Sequence, residues 1–361
     1  MKILRIYIKV PPCAGGMEQH IKNLTLKQLN QGHYVMLAFN EGDKITASDM
    51  KIAGFIKLQK IKPQFLSFFL FHFFLVIELF LNRRKVDLIH IHGDWSSLLF
   101  VKPIKYLTRA CKVVYSNHGH INVNNMSFRL LIFLLKQTDM IHCTGIETAD
   151  ILERHTSKKV FFQPSGIRDN FQYQDINKRL QKRRNNIILT VANLVPVKNI
   201  LFIFHLASKL QDMSFYIVGA GALRMFFEEE INRRDLRNVF LMGAKDDYEL
   251  AKLYERADLF LLTSYKEGFP TVVMEAMYFG LPIVSSNAGQ ISNLLKNDVN
   301  GFIIDDFIEE NYINAINNIY FNNMLYDSIA QNNINLAGEF TWEKCANNIS
   351  RNMMEILEDK K

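Results

Sequence analysis

Three observations predict an α/β protein built from two doubly wound, Rossmann-like parallel-sheet domains. Short β-branched runs alternate with longer segments of helical period along all 361 residues. The series runs twice, and a polar, strongly basic stretch without a core period separates the two halves. Hydrophobic residues make 48% of the chain and charged residues 22%, enough for two cores and incompatible with a disordered polymer.

In the first half, residues 2–10 (KILRIYIKV) read as a buried strand. They lack the long apolar stretch and small-residue cleavage site of a signal peptide. Residues 19–31 have helical period, and Gly32 then marks the turn into a strand over 33–39. Residues 87–92, 112–116 and 140–143 are further β-like runs, with a helix expected over 128–137. The second half repeats the pattern. Strands are expected over 186–191, 214–218, 239–242, 259–262, 282–286 and 301–304, with helices over 200–210, 222–233 and 271–279.

The resulting division is a first domain of residues 1–168, a basic linker over 169–186, a second domain of 187–338 and a last helix over 339–361. The linker contains NKRLQKRRNN and reads as a solvated hinge.

One segment fits two readings. FLSFFLFHFFLVIELFL, residues 65–81, is flanked by Lys57, Lys60 and Lys62 before it and Arg83, Arg84 and Lys85 after it. At 17 residues it falls short of the roughly 20 that span a bilayer. On a helical wheel Ser67 and Glu78 fall together but His72 does not, so no wide polar stripe forms. The helix either packs into the core or rests partly in a headgroup boundary, its cations drawn to anionic lipid.

The formal charge of +7 favours anionic partners such as phosphates or a membrane surface without calling for nucleic acid. The abundance of Phe, 28 against 2 Trp, carries no functional weight. Cys13, Cys111, Cys143 and Cys345 are scattered, which points to a reducing compartment and no disulfide framework.

The strongest chemical signal is Glu267-Gly268-Phe269-Pro270-Thr271-Val272-Val273-Met274-Glu275, just after the strand at 259–262. Pro270 and Thr271 suit a helix start, and Gly280 and Pro282 a stop. The helix N-terminus is therefore a seat for a phosphate. Carboxylates on both sides of an anion seat make sense as acceptors for hydroxyl groups, one on a sugar and one on a ribose.

This frame, with Ser264, Ala276, Met277, Gly280, Pro282, Ile283 and Val284 also in register, resembles the retaining GT-B glycosyltransferases of family 4 (glycosyl transferases group 1). The resemblance covers nearly the whole chain and is most specific from Lys198 to Gly301. It implies the GT-B fold: an acceptor-side first domain facing, across a cleft, a second domain that binds the nucleotide-sugar, with a final helix crossing back. It further implies that Glu267 binds donor-sugar hydroxyls, that Gly268, Phe269, Pro270 and Thr271 cap the sugar and diphosphate, and that Glu275 holds the ribose.

Other motifs agree in order. Gly15-Gly16-Met17-Glu18 stands where the family carries a Gly-Gly loop, with Gly16 toward the donor and Gly15 and Glu18 on the acceptor side. Gly32-His33 before a strand is a structural family feature. His90 and His92 fall on one face of the strand at 87–92, but no carboxylate or Cys lies at ligand spacing and no metal is assigned. The resemblance places His92 at the mouth of the active site, assigns His118 to the donor sugar and leaves His120 incidental.

Many relatives have Gly-Arg-Leu-x-x-x-Lys-Gly where this chain has Val191–Asn199; Lys198 is kept for the diphosphate, while Asn193 stands in place of the Arg. Gly219, in Gly219-Ala220-Gly221 after a strand, matches a further donor-side turn. Phe340-Thr341-Trp342-Glu343 opens the last helix.

The implied activity is metal-independent, retaining transfer of a sugar from a nucleotide-sugar, a UDP-sugar by preference, to a saccharide or lipid-linked saccharide. The implied setting is bacterial cell-surface glycan synthesis, lipopolysaccharide or capsule, in the cytoplasm or peripherally on the inner face of the membrane. His118, Lys198 and Glu267 are the expected catalytic group, no separate cofactor is expected, and Lys198, the amides near Thr271 and the Gly16 loop would take up leaving-group charge. Two alternatives stand. A sugar-nucleotide epimerase shares the architecture but should lack the Glu267-to-Glu275 frame. A non-catalytic partner subunit would fit the missing Arg at 193.

Overall fold

The computed structural model describes residues 1–9, 16–39, 54–57, 64–93, 95–119, 121–169, 171, 179–180 and 184–359, with backbone alone for 54–57 and 64–67. The chain forms two compact units, Met1–Gly166 together with Trp342–Lys361, and Ile167–Thr341.

Among the described residues of the first unit, seven parallel strands form one sheet in the order β3-β2-β1-β4-β5-β6-β7. They are β1 Lys2–Ile6, β2 Tyr34–Phe39, β3 Gly54–Lys57, β4 Leu88–His92, β5 Lys112–Asn117, β6 Met140–Cys143 and β7 Lys159–Phe162. Strand order reverses between β1 and β4, which opens the crevice typical of such sheets at the carboxyl ends of those strands.

Side chains alternate across the pleat, so Leu4 and Ile6 face one layer and Ile3 the other. On the first side they meet Phe71, Leu75 and Leu79 of the Gln64–Asn82 helix. On the second, Ile3, Val35, Leu88 and Val114 meet Trp342, Cys345, Ile349 and Met353 of the final helix Trp342–Glu358. That helix is part of the first unit and shares this sheet face with the Gly16–Asn30 helix, whose Leu24 joins the same cluster. Cys111, Cys143 and Cys345 are unpaired thiols.

The Gln64–Asn82 helix buries one side and exposes another. Phe71, His72, Leu75 and Leu79 are buried, while Phe69, Phe73, Ile77, Phe80 and Leu81 form an exposed apolar stripe with relative exposures of 37–69%. Among the described residues no helix is long and apolar enough to cross a membrane.

Six parallel strands of the second unit form a sheet in the order β10-β9-β8-β11-β12-β13 among the described residues. They are β8 Ile187–Val191, β9 Ser214–Val218, β10 Val239–Gly243, β11 Leu259–Leu262, β12 Ile283–Ser286 and β13 Phe302–Ile304. Here the order reverses between β8 and β11. The β8 end carries Lys198, and the β11 end carries the Glu267 loop and the Thr271–Tyr278 helix.

Gly219, φ +145°, lets β9 pass close to that crevice, because a Cβ there would lie 1.9 Å from the Ala192 carbonyl oxygen.

Candidate active site

In the second unit, β8 runs into a short 3-10 turn, Pro196–Lys198, which ends with Asn199 in the left-handed region (φ 49°). This turn is stitched to the loop after β11. Tyr265 N–H donates to the Val197 carbonyl at 2.8 Å, and Thr263 Oγ1 donates to the Lys198 and Asn199 carbonyls, each at 3.2 Å.

The stitching brings two sequence-distant groups together. Lys198 Nζ lies 2.6 Å from Glu267 Oε1, and Ser264 Oγ donates to the same oxygen at 2.5 Å. Gly289, φ +64°, supports the Glu267 main chain from behind: a Cβ there would sit 2.0 Å from the Glu267 carbonyl oxygen.

The helix Thr271–Tyr278 starts beside this pair. Its N-cap is Pro270 (φ −78°, ψ 101°), so Pro270 stands one position before the first helical residue. Gly268 and Thr271 are exposed, and a Cβ at Gly268 would meet open space. Amides at an exposed helix start next to a Lys suit an anionic ligand. Phe269 packs near Phe340 with ring centroids 6.1 Å apart. Asn193, in the position of the missing Arg, is exposed and supplies no cation, and its carbonyl accepts from Val195 N–H at 2.9 Å.

Glu275 is less available than its spacing suggested. It is 3% exposed; Oε1 accepts from Arg168 Nε at 2.8 Å and Oε2 from the Tyr254 hydroxyl at 3.0 Å. Arg168 also donates from Nη1 to Asp247 Oδ1 at 2.5 Å. Burial pushes the Glu275 carboxyl above the usual carboxylate range, and Arg168 only partly opposes that. For Arg168 burial works against the charge, but Glu275 and Asp247 more than offset it and hold the guanidinium protonated.

Sequence reasoning missed Arg168, Asp247 and Tyr254. Arg168 lies at the end of the expected first domain, and nothing in a lone Gly-Ile-Arg-Asp marks a buried ion pair 107 residues away.

In the first unit, His118 follows β5, is half-buried, and lies 3.0 Å (Nε2) from His92 Nδ1. His92 is itself 1% exposed, so it sits behind His118 rather than at a mouth. Behind it runs a chain of contacts: His92 Nε2 to His90 Nδ1 at 3.2 Å, His90 Nε2 to Ser116 Oγ at 2.7 Å, and Ser116 Oγ to His142 Nδ1 at 2.8 Å. His20, from the first turns of the Gly16–Asn30 helix, packs edge-on to His118 with centroids 4.5 Å apart. Burial drives all five imidazoles to lower pKa, His118 to about 3 and His142 to about 4, so they are neutral.

Gly16 is exposed at the helix start, and buried Glu18 accepts from the Tyr7 hydroxyl at 3.3 Å. Gly15 and His120 lie outside the described residues.

Residues 14–171 match the sequence family described as Glycosyltransferase Family 4, and residues 172–336 match Glycosyl transferases group 1. The chain is 24% identical over 310 residues to the phosphatidylinositol N-acetylglucosaminyltransferase GPI3 subunit of Saccharomyces cerevisiae, covering 80% of this chain and 68% of that one. It is 27% identical over 263 residues to the UDP-Gal:alpha-D-GlcNAc-diphosphoundecaprenol alpha-1,3-galactosyltransferase of Escherichia coli, covering 65% and 67%. Among solved structures, Anabaena HepE in complex with UDP superimposes with a TM-score of 0.78 at 20% identity, covering 98% of this chain and all of the other. With a family match on each half, two parallel sheets as expected and the Glu267-to-Glu275 frame at the second strand reversal, the chain belongs to the glycosyl transferases group 1, glycosyltransferase family 4, and is a glycosyltransferase of the GT-B type.

Proposed function

We propose that the protein transfers a sugar, with retention at the anomeric carbon, from a UDP-sugar to a saccharide or lipid-linked saccharide. The observation that carries this reading is the Lys198–Glu267 pair beside the start of the Thr271–Tyr278 helix. A sugar diphosphate entering there separates the pair into its two jobs. Lys198 turns to the diphosphate together with the Gly268–Thr271 main chain, and Glu267, still held by Ser264, accepts from sugar hydroxyls. Glu275 retains lone pairs beyond those used by Arg168 and Tyr254 and takes the ribose. The family resemblance reserves His118 of the first unit for the donor sugar, and burial keeps its imidazole neutral.

Among the described residues no carboxylate is an evident nucleophile. The acceptor oxygen therefore attacks the anomeric carbon on the face from which the diphosphate leaves. The bond to the β-phosphate oxygen breaks, and the departing diphosphate takes the acceptor's proton. Lys198 and the helix-start amides meet the charge that develops on it, so this step calls on no cofactor and no metal at the diphosphate.

A lipid-linked acceptor is supported by the names of two relatives, which carry a phosphatidylinositol and a diphosphoundecaprenol. The exposed stripe Phe69, Phe73, Ile77, Phe80 and Leu81 adds support, since it adjoins a groove containing Arg83, Lys85, Lys105 and Arg109.

A thermal-shift screen with UDP-, GDP- and dTDP-sugars tests the donor. A hundredfold excess over Kd should stabilise by about 2.7 kcal/mol, and no response to any of them refutes the reading. Co-sedimentation with anionic vesicles tests the surface: binding should weaken with salt and on Phe80→Asp, and a protein that stays in the supernatant at low salt refutes it.

A further inference from the structure

His20, His92 and His118 each offer one ring nitrogen, and those nitrogens lie within 4.8 Å of one another. We propose that they bind one divalent ion of the zinc class, and nothing in the family assignment requires this site.

Three observations carry the inference. First, His20 Nε2 is buried without a hydrogen-bond partner among the described residues, while its Nδ1 is fixed by Ser165 Oγ at 2.8 Å. A buried ring nitrogen held in place and left unsatisfied costs free energy unless something else occupies its lone pair. Second, His92 Nδ1 and His118 Nε2 face each other at 3.0 Å. Two nitrogens on one tetrahedral zinc, each about 2.0–2.1 Å from it, lie about 3.3 Å apart, so this pair is close to ligand spacing already. His20 offers the third nitrogen, within 4.8 Å of the other two.

Third, two of the three outer nitrogens, those of His20 and His92, are supported as metal-bound histidines require. His20 leans on Ser165, and His92 leans on His90, which leans on Ser116. An all-imidazole set suits Zn²⁺, Co²⁺ or Ni²⁺ rather than Mg²⁺ or Ca²⁺, which take oxygen ligands. Three protein ligands leave a fourth position for water or a ligand oxygen on the half-buried His118 side.

Because His118 is also assigned to the donor sugar, the test is made without donor and stands apart from that reading. Metal-stripped full-length protein is titrated with Zn²⁺ by calorimetry and with Co²⁺ by visible absorption. The expected result is one saturating equivalent, a Co²⁺ spectrum typical of a four- or five-coordinate nitrogen site, and weakened binding on substitution. His20→Ala should lower affinity at least a hundredfold and Ser165→Ala by about tenfold, whereas His155→Ala, an exposed histidine, should change nothing. Non-saturating binding, an octahedral aquo-type Co²⁺ spectrum on the wild type, or full affinity in a folded His20→Ala protein overturns the proposal. The wild-type Co²⁺ spectrum decides the matter even where a variant fails to fold.

Discussion

Removing Arg168 isolates the energetics of the buried ion pair in the second unit. In the native arrangement its guanidinium spans Glu275 and Asp247, and the Glu275 carboxylate is 3% exposed. Arg168→Ala leaves that carboxylate paired only with the Tyr254 hydroxyl. Truncating one partner of a fully buried pair costs about 3–5 kcal/mol. The Arg168 side chain is 38% exposed, so water replaces part of what is lost, and we expect about 2 kcal/mol. For a unit of this size that lowers Tm by about 4–8 °C.

The pH dependence separates this cause from a general packing defect. Burial already raises the Glu275 pKa, and losing Arg168 removes the largest opposing influence, so it rises further. A carboxyl whose folded pKa lies above its unfolded value binds more protons in the native state. Its contribution is therefore favourable in acid and is lost as pH rises through the folded pKa. The deficit of Arg168→Ala should shrink toward pH 5 and be largest near pH 8, and adding Glu275→Gln should flatten that dependence and recover part of the loss. Thermal melts across that range decide it. An Arg168→Ala protein as stable as wild type at pH 8, or a deficit independent of pH, refutes the reasoning.

Three further outcomes follow from other parts of the second unit. Gly289→Ala should lose more than about 2 kcal/mol and lower donor affinity, since its Cβ would collide with the Glu267 main chain at φ +64°; a wild-type melt and wild-type donor binding would refute that. Lys198→Ala should lower kcat/KM roughly a hundredfold by removing charge from both bound donor and transition state, while Glu275→Ala mainly raises the donor KM; unchanged kinetics in both variants would dismantle the site assignment. Asp246→Ala breaks a capping box with Glu249 and should lower stability by about 1 kcal/mol with transfer intact; an unchanged melt would count against the cap.

Much of this was legible in the sequence, for physical reasons. Central strands such as β4, β8 and β11 are buried on both faces, so they must be continuous apolar runs, and those runs set their limits to within a residue or so. β7 escaped because it lies at a sheet edge: Lys159 is exposed and Val160, Phe161 and Phe162 are half-buried, so neither a continuous run nor a clean alternation appears. The helices Ile146–His155 and Asp247–Arg256 are charged on their outer faces and were equally indistinct. The Glu267-to-Glu275 frame was readable because one strand end and one helix start supply all of it within nine residues. Its Lys198 partner was visible only as a matching motif, since the hydrogen bonds that bring Lys198 to Glu267 join loops 69 residues apart.

The histidine array is the opposite case. His20, His92, His118 and His142 come from four elements whose only relation is that a parallel sheet brings strand ends and the first helix to one crevice, next to the reversal between β1 and β4. Spacing along the chain carries no trace of that convergence: the close pairs are His90 with His92 and His118 with His120, and the strand period put His90 and His92 on one face without naming their neighbours. Metal-ligand spacing rules look for close pairs on one local element, so they argued against a site that the sheet topology assembles from distant segments. Burial then works in one direction on the whole array. By excluding water it makes a second proton on each ring expensive, and the neutral rings hydrogen-bond to each other, to Ser116 and to Ser165, while His20 Nε2 has no partner among the described residues. The same desolvation that keeps His118 uncharged before a sugar therefore prepares His20 for a cation, and whether the two uses compete is decided by adding Zn²⁺ to a transfer assay. Inhibition that His20→Ala relieves would tie them together, and inhibition that persists in His20→Ala would place the ion elsewhere.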